Sequence, residues 1–439
     1  MDLLLFLQIL IVMSSGVLFF VWFFIWRPST YRNRLSPLEE ARTYLQHNDY
    51  DKAVSSFTRI IQNDPENLEA YRGRFQAFLM QDEIAFAMAD AQKMIAIAPD
   101  SQAGYVSRSR INLKQKNIEA CLSDLNIAIE VQPDEVDAYA FRVGVYLTLK
   151  QHEKALSDAN HLIEILKQEN FMSYLRRGSL YMHLNERDKG IADFTRAYER
   201  SIGQKERVEA LTLRWKAHMT GNQLQSALND VDEIIYIYPR RASSYAVRAT
   251  IYQLLEQQRK SVQDCKKALE LDPGLSDVYQ TLGIAYLLLK EFYKAIDILS
   301  VYITSSPNSS IAYNARAWAK LCIGHHYDGL QDARKAVSLA NKKPSMWRIQ
   351  GLANFLLGEY QKAIPDFEEA IELSSDAQVH LIELAVTYYK MGDIEDAIKT
   401  WQQAVEDKPV TSAELHEKHI FPPPFYEAMQ ELERLANNS

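Results

Sequence analysis

The sequence predicts an all-α chain: an α-solenoid of about eleven helical hairpins, with an N-terminal transmembrane helix and a C-terminal capping helix. Three observations predict it. Prolines recur at a spacing of 34 residues, a small residue recurs in step with them, and a run of 24 residues near the N-terminus carries no charge. The composition agrees. Of 439 residues 47% are apolar and 24% charged, with only 15 glycines and 14 prolines, which excludes global disorder and disfavours a turn-rich β fold. The net charge of −8 excludes a general nucleic-acid binder, which needs a basic footprint. Cys121, Cys265 and Cys322 lie far apart and form no CxxC pair, so neither a disulfide framework nor a structural zinc site is expected.

Residues Leu3 to Trp26 read LLLFLQILIVMSSGVLFFVWFFIW, with Gln8, Ser14 and Ser15 as the only polar positions. As a helix this run is roughly 36 Å long, enough to cross a bilayer core. A cleaved signal peptide would need a basic start, a shorter apolar run and small residues at its end. The start here is Met1-Asp2 and the end is VWFFIW, so residues 1–26 are expected to be a membrane anchor in contact with the bilayer. Arg27, Arg32 and Arg34 follow it and no base precedes it, which places the N-terminus outside and the body in the cytoplasm. Residues 27–33 form a juxtamembrane linker.

Pro65, Pro99 and Pro133 are spaced by 34, as are Pro239, Pro273 and Pro307. Each follows an apolar helical run, which a proline stops. Setting the proline at position 32 gives repeats at 34–67, 68–101, 102–135, 136–169, 171–204, 208–241, 242–275, 276–309, 310–343, 344–377 and 378–411. Position 20 then reads Ala53, Ala87, Cys121, Ala155, Gly190, Ala227, Ser261, Ala295, Gly329, Ala363 and Ala397, small in every repeat. Position 4 is aromatic in eight repeats, among them Tyr71, Tyr139, Tyr279 and Trp347. Two antiparallel helices approach closely only where one presents a small side chain, and the next aromatic fills the space beside it. The fifth repeat is the weakest, with Ile202 at the proline position, and residues 201–207 predict an irregularity in the array. Residues 412–439 form a tail. Its PPP stretch (422–424) breaks a helix, and Phe425 to Ala436 restart one with Phe425, Met429, Leu432 and Ala436 on one face, suited to cap the array.

This pattern resembles the tetratricopeptide repeat (TPR) family. The tenth repeat carries it most clearly in Trp347, Gly351, Ala363, Phe367 and Ala370, and the eighth in Tyr279, Leu282, Gly283, Tyr286, Ala295 and Pro307. The resemblance covers residues 34–411. It implies a right-handed superhelix whose inner surface is lined by the first helix of each repeat. It also implies a binding scaffold that takes client proteins. Anchor plus array resembles bacterial anchored TPR proteins of envelope biogenesis, whose C-terminal cysteine motif is missing here, and mitochondrial import receptors. The expected function is therefore a membrane-anchored scaffold or adaptor for assembly or recruitment, with a targeting or co-chaperone receptor as the alternative. Some family members grip a chaperone's C-terminal carboxylate with Lys and Asn on successive first helices. Leu38, Arg42, Gly73, Ala103 and Ser107 stand at those positions, which disfavours that mode in the first three repeats.

By the same analogy, positions 2, 5, 6, 9, 12 and 13 face the groove. In the first six repeats they include Arg42, Arg72, Gln76, Arg110, Lys114, Arg176 and Lys216. From the eighth onward they become Ile284, Leu287, Leu288, Trp318, Leu321, Leu352, Phe355, Leu356, Val386 and Tyr389. A two-zone groove is expected, basic first and apolar later, to hold acidic and hydrophobic client segments. The competing reading packs these apolar residues between repeats.

Arginine recurs at position 7 (Arg74, Arg108, Arg142, Arg177, Arg214, Arg248, Arg316), and aspartate recurs just before position 24 (Asp90, Asp124, Asp158, Asp193, Asp230, Asp264, Asp332, Asp366). Because opposite charges recur in step, arginine–aspartate ties between helices are expected in place of a ligand-binding stripe. His416 and His419 read HEKH, not HExxH. They are expected to be a solvated charged segment, and the rival is a metal-dependent enzyme using this pair. No phosphate loop, GxGxxG, GxSxG or paired-carboxylate frame is present, so no catalytic residue, no metal and no cofactor is expected.

Overall fold

The computed structural model describes residues 36–406, 409–419 and 421–437. The apolar run 3–26 and the linker 27–33 lie outside them. The described residues form α-helices and no strand. Eleven helix pairs follow one another in sequence. They are α1 (Pro37–Gln46) with α2 (Tyr50–Asn63), α3 (Leu68–Met80) with α4 (Ile84–Ile97), α5 (Gln102–Lys114) with α6 (Ile118–Val131), and α7 (Val136–Thr148) with α8 (His152–Asn160). Then come α9 (Phe171–His183) with α10 (Arg187–Arg200), α11 (Gln204–Thr220) with α12 (Leu224–Ile237), α13 (Ala242–Leu254) with α14 (Gln258–Leu271), and α15 (Ser276–Leu288) with α16 (Phe292–Ser305). The last three are α17 (Ser310–Cys322) with α18 (His326–Leu339), α19 (Pro344–Leu356) with α20 (Tyr360–Leu373), and α21 (Gln378–Met391) with α22 (Ile394–Val405). The tail adds α23 (Ser412–His419) and α24 (Pro423–Ala436). The residues fall into two compact bodies on either side of the Glu186–Arg187 bond, the first holding α1 to α9 and the second α10 to α24.

The expectation of a single-pass membrane protein with cytoplasmic repeats is corrected here. No helix of the described residues is long and apolar enough to cross a membrane. The longest, α11, has 17 residues and carries Lys205, Glu206, Arg207 and Glu209 near its start. At 1.5 Å per residue it spans roughly 25 Å, short of a bilayer core of about 30 Å.

Each hairpin closes the same way. The residue at position 15 takes a left-handed conformation: Asn48, Asp82, Lys116, Lys150, Asn185, Asn222, Glu256 and Lys290, then Gly324, Gly358 and Gly392. The following amide donates to the carbonyl five residues back, as in Glu83 to Phe78, Asn117 to Asn112 and Asp393 to Tyr388. This 6→1 bond satisfies a carbonyl that the first helix leaves open. A left-handed residue with a Cβ costs about 1–2 kcal/mol, and glycine's extra unfolded entropy offsets about half of that. Lys116→Gly is therefore expected to raise stability by about 0.5–1 kcal/mol, read as an upward shift of the urea midpoint with unchanged slope.

The close approach expected at position 20 is present. All eleven residues are buried, eight of them Ala or Cys with no exposure at all. Position 8 adds a second contact in the tenth repeat, where a Cβ on Gly351 would stand 2.8 Å from the ring of Phe367. The irregularity sits where the sequence breaks phase. The second helix of the fourth repeat ends in a π-turn, His161–Ile165. The three extra residues before the sixth repeat, together with Gln204, lengthen α11 to 17 residues, against 13 in α3, α5 and α13. The largest apolar cluster lies in repeats nine to eleven and takes in Phe421, Phe425, Met429 and Leu432 of the tail.

Candidate functional site

The recurring arginines are structural ties. Arg74, Arg108, Arg142, Arg214, Arg248 and Arg316 each reach the aspartate sixteen residues on, with N–O distances of 2.5–3.1 Å. The aspartates Asp90, Asp124, Asp158, Asp230, Asp264 and Asp332 are all buried. The bond joins the two helices of one hairpin. In five of these six the guanidinium also reaches back to the second helix of the preceding hairpin, at Thr58, Asn126, Thr195, Asp232 or Ser300. It lies beside the position-4 aromatic as well, 5.5 Å from the Tyr71 ring for Arg74 and 5.5 Å from Tyr245 for Arg248. The backward acceptor escaped the sequence pattern because its identity varies among Thr, Asn, Asp and Ser. In the fifth repeat Arg177 donates to Asn160 and Glu164.

The tenth repeat breaks the series with Gln350 in place of arginine. Gln350 and Asn354 donate to Asp366 at 2.7 and 2.6 Å. Burial pushes the Asp366 carboxyl up to about 6, against those two hydrogen bonds, which lower it. The folded state therefore holds this proton more tightly than the unfolded chain. Its contribution is full below the ordinary 3.8 and is lost as pH rises through about 6. The loss is on the order of 2–3 kcal/mol. Gln350→Arg restores the tie, so urea midpoints of variant and wild type are expected to diverge between pH 4 and 7 in favour of the variant, measured at about half-unit steps.

The first helices of successive repeats touch one another in repeats one to four and again in repeats seven to eleven, and present the face expected to meet clients. Arg72, Arg110, Lys114, Arg176 and Lys216 are all exposed. Arg72 stands 3.5 Å from Asp137, both about half exposed, and Lys114 meets Asp82. Arg110 lies 5.8 Å from the Phe141 ring. Arg72 and Arg110 flank a cavity of about 310 Å³ with Phe75, Val106, Gln102 and Asp137 in its walls. Its floor is ordered by Gln102, whose side-chain oxygen accepts from the Ala138 amide at the start of α7. Arg176 borders a smaller, more apolar cavity of about 140 Å³ with Val136, Val143 and Leu162. Lys216 borders a third of about 170 Å³ with Trp215 and Arg241.

The apolar set is placed differently. Leu288 is exposed and Ile284 half-buried, whereas Trp318, Leu352 and Phe355 are buried at 8%, 0% and 4% exposure. Tyr389 is half-buried and donates to Glu431 of α24 at 3.2 Å. The tail covers this region. The Phe355 and Phe425 rings meet edge-on at 4.7 Å, and Phe421 stacks on Phe425 at 5.1 Å. Between them lies a polar group the sequence reading missed. Arg348 is held between the rings of Trp318 (5.6 Å) and Phe421 (5.5 Å) and donates to the fully buried Glu383 at 2.6 Å. His380 meets the other Glu383 oxygen at 3.2 Å. Arg348 Nη2 is buried without a hydrogen-bond partner. The available signal was a lone glutamate at position 6 of the eleventh repeat, one period and one residue beyond an arginine at position 5 of the tenth.

His416, half-buried, stacks on Tyr426 at 4.1 Å. Burial first, and the Lys290 charge second, hold its imidazole below the usual value. Among the described residues no three His, Cys, Asp or Glu side chains come together as metal ligands. Burial pushes all three cysteine thiols up, Cys121 to about 11 and Cys265 and Cys322 to about 12.

Stacked antiparallel hairpins within each body define a helical-repeat protein. Tetratricopeptide repeat models match residues 38–102 and 315–377, 355–418, and 173–201 and 242–275. The chain belongs to the tetratricopeptide repeat family. No curated protein matches it. Among solved structures it is similar to a tetratricopeptide repeat protein from Parabacteroides merdae, at 16% identity over 65% of this chain and 98% of that one, TM-score 0.41. It is also similar to the APC/C hetero-tetramer Cut9–Hcn1, at 13% identity over 91% and 95% of the two chains, TM-score 0.42. A third likeness is to yeast Tom70, at 15% identity over 91% and 96%, TM-score 0.37. Identities at this level speak to the fold alone.

Proposed function

We propose that this chain is a non-catalytic scaffold that holds segments of partner proteins against the first-helix faces of its repeats, with the basic face of repeats two to four taking an acidic segment. The observation that carries the reading is the Arg72–Arg110 cavity on a TPR array. Within each body the hairpins are tied by arginines to buried aspartates, so the face of repeats two to four orders little on binding. On this face Arg72 and Lys114 pair with the exposed carboxylates of Asp137 and Asp82. Such surface pairs contribute about 0–1 kcal/mol, so a ligand carboxylate exchanges for them readily. The apolar walls of Phe75 and Val106 beside the guanidinium groups favour an aliphatic or aromatic residue next to the acid.

A fluorescein-labelled peptide of alternating Glu and Leu residues tests this on the full chain. Arg72→Glu/Arg110→Glu is expected to weaken its binding by about tenfold or more, and added salt to weaken wild-type binding, with thermal stability unchanged because both residues are exposed. Equal affinity for variant and wild type would remove this face from the function.

A further inference from the structure

The tail does more than close the end of the array. A helix that only capped the stack would meet repeat eleven alone. Instead α24 packs on α21, α22 and also α19, the first helix of repeat ten. Phe425 meets Phe355 and Phe421 meets Arg348, both residues of α19. His416 of α23 feels the charge of Lys290, in the turn of the eighth hairpin. The segment therefore runs back along the face where the first helices expose their side chains, and it is seated there as an amphipathic helix. Phe425, Met429 and Leu432 point inward with no exposure, while Glu427, Glu431 and Arg434 lie on the outer side.

We propose that the first-helix face of repeats nine to eleven is a helix-binding surface, that residues 421–436 are its resident occupant, and that a client helix with the same Phe-x3-Met-x2-Leu spacing binds by displacing them. This rests on the reading that partners bind the first-helix faces, and it names the partner chemistry and the regulation of one such face. Tyr389 to Glu431 is a hydrogen bond between α21 and the tail, and Ser412 to Glu433 is one within the tail itself. One feature makes the occupant exchangeable: it leaves Arg348 Nη2 without an acceptor. A client that brings a carboxylate to that corner gains a charge-assisted hydrogen bond the tail does not make. Tethering sets the threshold for displacement. A linked helix competes at an effective concentration of about a millimolar, so a free helix of micromolar affinity is excluded by roughly 100-fold or more until the tail is released.

Two measurements on the full chain test this. The first is native-state hydrogen exchange. Amides of α24 are expected to exchange at least tenfold faster than those of α19 and α21, because the tail leaves while the array stays folded. Equal protection of α24 and α21 would make the tail an integral layer and overturn the proposal. The second is binding of a labelled synthetic peptide of residues 421–437. Met429→Asp/Leu432→Asp places charges on the buried face of the tail, and this variant is expected to bind the peptide at least 30-fold more tightly than wild type does. The milder Glu431→Gln/Glu433→Gln, which alters the tail and leaves the peptide's partners in place, is expected to give an intermediate gain of a few-fold. No gain in either variant, with helix content retained, overturns the proposal. Loss of helix content from repeats nine to eleven in the doubly charged variant does so as well. The acidic-peptide experiment reads repeats two to four only, so either result stands or falls without the other.

Discussion

Arg248→Ala is expected to lower the unfolding free energy by about 3–5 kcal/mol, the largest effect of any charged position in the array. Its guanidinium donates to Asp264 at 2.6 and 2.8 Å and to Asp232 at 2.6 Å. Those hydrogen bonds, with Asp264 first, hold its proton well above the ordinary arginine range. Truncation leaves Asp264 buried and charged with no partner, and that uncompensated charge dominates the cost. The eighth repeat supplies a natural control. There Leu282 and Ile298 stand where seven other repeats have Arg and Asp, and both pack into the apolar cluster. Arg248→Leu/Asp264→Ile is therefore expected to recover most of the loss, since exchanging both partners for apolar groups leaves no orphan. A urea double-mutant cycle reads this directly. A double variant as unstable as Arg248→Ala would show that the tie to Asp232 matters more than the buried pair.

Phe355→Ala is expected to cost about 3–5 kcal/mol, as for a large aromatic removed from a full core. Its ring meets Phe425 at 4.7 Å and Tyr360 at 5.2 Å, so the cavity would open between two helices and the tail at once. Thermal unfolding followed at 222 nm should show the loss together with faster exchange of α24. Trp318→Ala should behave similarly, because its ring covers Arg348. Full retention of stability in Phe355→Ala would mean that the tail is not seated on α19.

Much of this was legible because the informative chemistry is local. A proline stops a helix wherever it falls, so the period located the hairpins. A position that is small eleven times running can only be a close approach. Arginine and aspartate recurring in step announced the ties. What escaped depends on conformation or on return of the chain. The left-handed turn residues are Asn, Asp, Lys and Glu in eight repeats, so no single letter marks them. Spacing alone puts Trp318, Leu352 and Phe355 among the groove-facing positions, whereas they lie buried. Spacing cannot show that a segment some 70 residues on, Phe421 and Phe425, comes back to cover Phe355. The same return brought Arg348 and Glu383 into one buried pair beneath Phe421.

The apolar pair in the eighth repeat also marks a place where the array can open on its own. Leu282 lies on α15 and Ile298 on α16, so the joint between those two helices has no ionisable group at the positions that carry Arg and Asp in seven other repeats. A joint held by buried area alone parts without stranding a charge, so the amides around Leu282 and Leu299 should exchange as a foldon of their own.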